Sequence, residues 1–355
     1  MTKGIANKYG THRVLGGETL LPQGAKKIDN NMEIYDNEIL IDVSALNIDS
    51  ASFRQLWEAS NEEPEALKAA IMEIVNERGK MQNPVTGSGG MLIGSIAKIG
   101  PALEDRDLKV GDKIATLVSL SLTPLKIKEI TAIYPEIDRV EIKGQAILFE
   151  SGIYAKLPKD LDENLALAAL DVCGAPAQVA KIVKPGDSVL ILGSGGKSGK
   201  LCCYEAKRRV GPTGRVVGLD YFTNPNGAGA RGKNFLEENH FVDDYVIADA
   251  RNAVEVLDKA LAANQGKEYD LCVCVVNVEG AEMSAILPVK NGGIVYFFSM
   301  ATSFTRAALG AEGVGKDVTM VIGNGYTKDH AEITLSLLRE SPALREVFEQ
   351  EYVKE

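Results

Sequence analysis

The sequence predicts an α/β chain of two domains, an antiparallel β domain with one helical insert followed by a doubly wound parallel sheet of six strands. Three observations predict it. The 355 residues suit two domains of roughly 100 to 200 residues each. From Ile34 to about Pro158 the apolar segments are short and strand-like and are separated by Gly, Pro and Asp, the turn chemistry of antiparallel sheets. From about Leu161 strand, glycine turn, helix and strand alternate and the strands are apolar throughout, as a parallel sheet covered on both faces requires. The domains are accordingly drawn at 1–160 and 161–355.

In the first domain the strands are EILIDVSAL (38–46), MLIGSIAKIG (91–100), DKIATLVSL (112–120) and VEIKGQAILFE (140–150). The insert spans 62–78, where Leu67, Ala70, Ile71, Ile74 and Val75 recur at helical spacing behind a Pro in the first turn. In the second domain the apolar runs are 188–193, 215–220, 245–250, 269–276, 292–300 and 317–325. Helices are expected at 198–209, 232–240, 253–265 and 281–289, the glycine-rich NPNGAGARGK (224–233) reads as a loop, and one helical stretch follows the last strand.

Charge and composition exclude several classes. Lys and Arg number 39 against 49 Asp and Glu, a formal net charge of −10, with no block of five or more basic residues. Such a surface repels nucleic-acid backbones and anionic lipid, so neither is an expected partner. The five cysteines form no CxxC pair, which fits buried thiols in a reducing compartment. The polar start MTKGIANKYGTHR and the lack of an apolar run near the roughly 18 residues of a membrane span give a cytoplasmic expectation.

The chemistry-bearing motif is LILGSGGKSGK (190–200), which follows an apolar strand and opens a helix. Gly193 can make the tight turn, Gly195 lets backbone approach a pyrophosphate, and the helix start supplies free N–H groups and partial positive charge. The third position of GxGxxG is Ser198, with Gly199 following. Asp220 ends the next strand, about 20 residues beyond Gly199, the separation of a ribose-binding acid. A carboxylate there repels a 2′-phosphate, and neither Tyr221 nor Phe222 compensates, so NAD is the expected cofactor. The bland alternative is a glycine turn with a capping Asp. A P-loop would need its first glycine where Ile191 stands. The expected cofactor-binding set is Gly193, Ser194, Gly195, Gly196, Lys197, Ser198 and Asp220, joined by Asp249, Val276, Asn277 and Ser299 around the ends of later apolar runs.

GSIAKIG (94–100), LKVGDKIA (108–115) and LALAALDVCGAPAQVAKIVKPGDSVLILGSGG (165–196) together resemble the medium-chain dehydrogenase/reductase superfamily. That resemblance implies a GroES-like β domain, a Rossmann domain, an active site in the cleft between them and frequent dimers, so a homodimer is expected. YGTHRV (9–14), ALNIDSASFRQL (45–56) and GNGYTKDHAEITLSLLRES (323–341) are similar, more narrowly, to the L-erythro-3,5-diaminohexanoate dehydrogenase family. This implies NAD-dependent oxidative deamination of a diamino acid to 5-amino-3-oxohexanoate and ammonium, as in lysine fermentation. Where zinc relatives carry their catalytic ligands this chain has Leu46, Gly90, Met91 and Cys173, and one thiolate does not make the three-ligand site a catalytic zinc needs. No metal is expected.

By family position Asp49 and the stretch Asp171 to Cys173 should border the nicotinamide. Either aspartate is a candidate general base, although Asp49 has an alternative reading as the cap of the following SASFRQL helix. Cys173 has one as a small buried residue. Arg13 is a candidate clamp for the substrate carboxylate, or a surface arginine. His240 and His330 are expected to be solvated. Rival functions are a zinc-free quinone or enone reductase of the same fold and a non-catalytic nucleotide-binding protein.

Overall fold

The structure, a computed structural model, describes residues 3–16, 20–323 and 325–353. The chain divides into two compact units, Met1–Lys159 and Asp160–Glu355.

The first unit contains β1 (Glu38–Asn47), α1 (Ser50–Ala59), α2 (Pro64–Arg78), β2 (Met91–Ile99), β3 (Lys113–Thr116), β4 (Leu125–Tyr134), β5 (Arg139–Phe149) and β6 (Tyr154–Lys156). The strands form an antiparallel sheet in the order β4-β5-β1-β2-β3-β6, the GroES-like arrangement. Long β1 is the organising strand because Ile39, Ile41, Val43 and Ala45 alternate into the core. There the first three join Phe53 of α1 and Leu67 and Ile71 of α2. The insert begins at Pro64, which suits a first helical turn, and stops at Gly79 in the left-handed conformation.

Two strands were not anticipated, the three-residue β6 and the long β4. Segment 125–134 reads LKIKEITAIY, and its lysines face outward in an edge strand whose register shifts twice against β5. Charge on the solvated face and bulges both blunt an edge and both hide it from a search for apolar runs. The expected strand at 112–120 shortens to β3.

The second unit opens with two helices, α3 (Glu163–Leu170) and α4 (Gly174–Ile182). The winding follows: β7 (Ser188–Leu192), α5 (Lys197–Val210), β8 (Arg215–Asp220), α6 (Ala228–Glu238), β9 (Asp244–Ile247), α7 (Ala253–Ala263), β10 (Tyr269–Cys274), α8 (Glu282–Ile286), β11 (Val289–Phe297), α9 (Phe304–Gly313), β12 (Thr319–Ile322), α10 (His330–Glu340) and α11 (Pro342–Tyr352). The six strands are parallel in the order β12-β11-β10-β7-β8-β9, a Rossmann sheet. Strand order reverses between β7 and β10, and in such sheets ligands bind beyond the carboxyl ends of the strands at that point.

Two expectations are corrected here. Segment 224–233 is not all loop, because α6 starts at Ala228. Its glycines serve close packing: a Cβ on Gly232 would lie 2.7 Å from the Cα of Gly195. The chain also ends in two helices rather than one. Ser341 accepts from the N–H of Leu344, and Pro342 begins a new helix. Asn324, inside the expected last strand, lies outside the described residues. Among the described residues no single helix is long and apolar enough to cross a membrane.

Candidate active site

β7 ends at Leu192 and the chain turns at Gly193, whose φ of 86° is left-handed and whose Cβ would stand 2.8 Å from the backbone nitrogen of Val276. Only glycine combines that conformation with that contact. Two residues on, a Cβ at Gly195 would sit 3.0 Å from Oδ2 of Asp220 and 3.4 Å from the Tyr245 hydroxyl. The free space expected beside Gly195 is thus already bordered by the Asp220 carboxylate. Gly196 caps α5 without any side-chain hydrogen bond, so the N–H groups of the first turn at Lys197, Ser198 and Gly199 keep the uncapped character of a helix start. That is a fit for a pyrophosphate.

Asp220 is fixed by two backbone donors, Gly195 N–H to Oδ2 at 3.1 Å and Tyr221 N–H to Oδ1 at 2.8 Å. Burial raises its pKa, while the two N–H donors and the Lys200 ammonium oppose that shift. Ser194 is fully buried, and its hydroxyl points into the sheet toward Gly218, where a Cβ would be only 2.9 Å away. Its side chain therefore faces the interior rather than a bound phosphate.

The remaining expected cofactor residues fall into separate pairs. Asp249 is gripped by Arg251, with Nη2 to Oδ2 at 2.6 Å, and the arginine side-chain donors hold its carboxyl below the usual range. Asn277 and Ser299 follow β10 and β11, and the serine hydroxyl donates to the Asn277 side chain at 3.4 Å. Lys197 is not simply solvated: its ammonium meets Asp171 at 2.8 Å and lies over the Tyr352 ring at 5.1 Å.

The four catalytic candidates separate clearly. Asp49 caps α1, its Oδ1 accepting from Ser52 N–H at 3.0 Å, and its Oδ2 is buried without a hydrogen-bond partner. One oxygen is structural and the other is uncommitted. Asp171 carries the Lys197 ammonium on Oδ2. Cys173 is 2% exposed, and burial pushes its thiol up to about 12. Such a thiol is not a nucleophile at neutral pH.

Arg13 is the clearest correction. It is 1% exposed, and its guanidinium bonds Glu38 through Nε and Nη2, both at 2.7 Å, and the carbonyls of Asp29, Asn31 and Glu33. Those contacts occupy its five N–H donors, so none remains to clamp a substrate carboxylate. His330 is likewise buried rather than solvated, and desolvation lowers its pKa. At the zinc-relative positions, Leu46 is fully buried and offers no ligand atom. Among the described residues no cluster of three or more His, Cys, Asp or Glu could hold a metal ion.

Two features of the second unit were missed. A small cavity is lined by Gly174, Gln178, Tyr296, Gly323, Gly325 and Thr327, around the ends of β11 and β12. It is assembled by tight contact, since a Cβ on Gly174 would lie 2.5 Å from the Gly325 carbonyl. The other is the ion pair between the buried Lys200 and the half-buried Glu351, with both carboxylate oxygens at 2.8 Å from Nζ. Its partners are 151 residues apart, a pairing that no local pattern announces.

Residues 12–158 match the L-erythro-3,5-diaminohexanoate dehydrogenase N-terminal domain. The chain is 68% identical to the L-erythro-3,5-diaminohexanoate dehydrogenase of Acetoanaerobium sticklandii, over 98% of this chain and 99% of that one. It is 64% identical to the protein of that name from Fusobacterium nucleatum subsp. nucleatum, over 99% of this chain and 100% of the other. A solved mycobacterial quinone oxidoreductase shares the fold at a TM-score of 0.52 and 14% identity, covering 94% of each chain. Near-identity of length together with these levels of sequence identity establishes that the chain belongs to the L-erythro-3,5-diaminohexanoate dehydrogenase family.

Proposed function

We propose that this chain oxidises L-erythro-3,5-diaminohexanoate with NAD and water to 5-amino-3-oxohexanoate, ammonium, NADH and a proton. The observation that carries the reading is the 68% identity to a dehydrogenase of that name over 98% of the chain. The preference for NAD has its own support, because Asp220 presents a carboxylate anchored by Gly195 and Tyr221 where a ribose acid is expected.

When bound, NAD supplies the hydride acceptor. The chain's own part begins with the first turn of α5 and Asp220, which hold the two halves of an adenosine diphosphate unit by N–H donors and a carboxylate. The substrate's reacting ammonium must lose a proton before its carbon can give up hydride. Asp49 is the better base of the two aspartates, since its Oδ2 has no hydrogen-bond partner whereas Asp171 Oδ2 is held by Lys197. Once it has released that proton to solvent, the same carboxylate can take one from the water that hydrolyses the imine and return it to the leaving ammonia. Leu46 and the buried Cys173 supply no Lewis-acid site, and an amine with its lone pair free needs none.

The test is to incubate the purified chain with the diamino acid and NAD while following NADH absorbance and ammonium. Stoichiometric release of both, rising with pH as the substrate ammonium deprotonates, is expected. Reduction of a quinone without ammonium release from the diamino acid would overturn the assignment. Asp49→Asn should lower kcat by roughly 100-fold or more, within the usual range for general-base loss, and leave the Kd for NAD within about twofold.

A further inference from the structure

Glu282 opens α8 and is only 2% exposed. Its Oε1 accepts the N–H of Ser303 at 2.8 Å, and Nη1 of Arg306 stands 3.6 Å from its Oε2. That second oxygen is buried without a hydrogen-bond partner. A buried carboxylate is costly, and a neutral amide would serve one backbone donor, so the charge at this place calls for a reason. Glu282 and Ser303 stand on different segments, 275–282 after β10 and 298–303 after β11. The first abuts the glycine turn, since a Cβ on Gly193 would lie 2.8 Å from the backbone nitrogen of Val276. The second has little apolar anchorage, because Met300 and the adjoining Phe304 are both exposed. Hydrogen bonds tie it to the first: Phe298 N–H to the Cys274 carbonyl at 3.0 Å, the Ser299 hydroxyl to Asn277 at 3.4 Å, and Ser303 N–H to Glu282. Glu282 makes the shorter of the two side-chain links, and Ser303 in turn caps α9 by accepting the N–H of Arg306.

Sheet order fixes what these segments border. Asp220 ends β8 on one side of β7, while β10 and β11 lie on the other side. A dinucleotide with its pyrophosphate at the turn after β7 and its adenosine ribose at Asp220 must run its nicotinamide half across the ends of β10 and β11. We propose, on the reading of that turn as an NAD site, that Glu282 is a positioning residue for the nicotinamide half of the cofactor. It clips segment 298–303 to the segment after β10 through Ser303 N–H and Arg306, so the wall that this half meets is formed in advance. Without the carboxylate, Ser303 N–H loses its acceptor and Arg306 its counter-charge, and ordering the segment falls on the binding step and weakens it. The adenosine half, held by Asp220 and the start of α5 on the other side of the clip, keeps its contacts.

The experiment titrates the full-length protein with NAD and with ADP-ribose, which lacks the nicotinamide, by calorimetry, with thermal unfolding recorded in parallel. Glu282→Ala should raise the Kd for NAD about tenfold, leave that for ADP-ribose within about twofold, and lower kcat at saturating NAD. Glu282→Gln keeps an acceptor for Ser303 N–H but loses the charge that faces Arg306, and should bind NAD only about threefold more weakly than wild type. A folded Glu282→Ala protein with a lowered unfolding temperature and unchanged Kd values would make the contact merely structural and overturn the inference. Equal weakening of both ligands would overturn it too, because the effect would not be confined to the nicotinamide half. Should Glu282→Ala not fold, Glu282→Gln decides: weaker NAD binding with ADP-ribose unchanged supports the inference, and any other pattern overturns it. Wild type that binds neither ligand would instead sink the cofactor reading itself, so the two failures are distinguishable.

Discussion

In the first unit the buried Arg13 and Lys80 fasten backbone, whereas in the second the buried Lys200 stands in the first helical turn after the glycine turn. Arg13 ties the N-terminal segment to Glu38 and to three carbonyls. Lys80, fully buried and drawn down to about 8 by burial, donates to the carbonyls of Pro22 and Gln23 at 2.6 and 3.3 Å. In the second unit Lys200, paired with Glu351, follows the turn at 193–196, and Asp220 is anchored there by backbone donors. The difference teaches that a buried ion is no sign of chemistry in itself. What separates the two cases is whether donors and acceptors are saturated by the fold, as at Arg13, or are left at an uncapped helix start, as beside Asp220.

The largest expected effect would break this contrast if it failed. Glu38→Gln removes the partner of a fully buried guanidinium, and breaking a buried pair costs about 3–5 kcal/mol, while the Kd for NAD should stay within about twofold. The pair also makes the first unit acid-sensitive. The Arg13 and His12 side chains, with Tyr35 N–H, overcome desolvation and hold the Glu38 carboxyl at about 2, against an ordinary 4.5. A depressed folded pKa means stabilisation that is present above pH 4.5 and lost as pH falls through about 2. Chemical denaturation across that window should show stability falling with acid in the wild type and a flatter profile in Glu38→Gln.

Gly195→Val is the mirror experiment in the second unit. The branched side chain would press on Asp220 Oδ2 and the Tyr245 hydroxyl, 3.0 and 3.4 Å from the new Cβ. Affinity for NAD should fall about 100-fold, or about 2.7 kcal/mol, as measured by titration. Unfolding of the first unit should be unaffected. Unchanged NAD affinity would show that the turn is only a turn. A smaller effect is expected from Asp220→Asn, which keeps the shape but removes the charge that repels a 2′-phosphate. The ratio of kcat/KM for NAD to that for NADP should drop about tenfold, or about 1.4 kcal/mol, and an unaltered ratio would move specificity elsewhere.

The glycine turn and Asp220 were legible in the sequence because strand, turn, helix and acid are local and their spacing is fixed by one βαβ unit. The apolar strands of the parallel sheet were legible for the same reason. Arg13 was misread because its partner Glu38 is 25 residues away, and an arginine beside a histidine looks the same in sequence whether it is free or saturated. Strand β4 was missed because Lys126 and Lys128 face solvent along an edge. In α6, glycines that permit close helix packing look like glycines that make a loop. The Ser-Pro start of α11 was readable, but its contact with Lys200 depends on how the whole unit closes.

The smallest expected effect concerns Cys173, which family position places among the catalytic candidates and the fold places in the core. Its thiol is 2% exposed and burial, reinforced by the Asp171 charge, lifts it to about 12, so the thiolate population at neutral pH is negligible. Its backbone has a separate duty, because the carbonyl accepts the Thr334 hydroxyl at 3.1 Å, and substitution of the side chain leaves that bond in place. Cys173→Ala therefore removes one buried sulfur and little else, at a cost on the order of 1 kcal/mol. Turnover should remain within about twofold of wild type across roughly pH 7 to 9, well below the thiol's own titration. A collapse of turnover in a protein of unchanged fold, as deep as that expected for loss of the general base, would mean that the sulfur touches the reacting atoms. The rule drawn from the two units would then fail in the second of them.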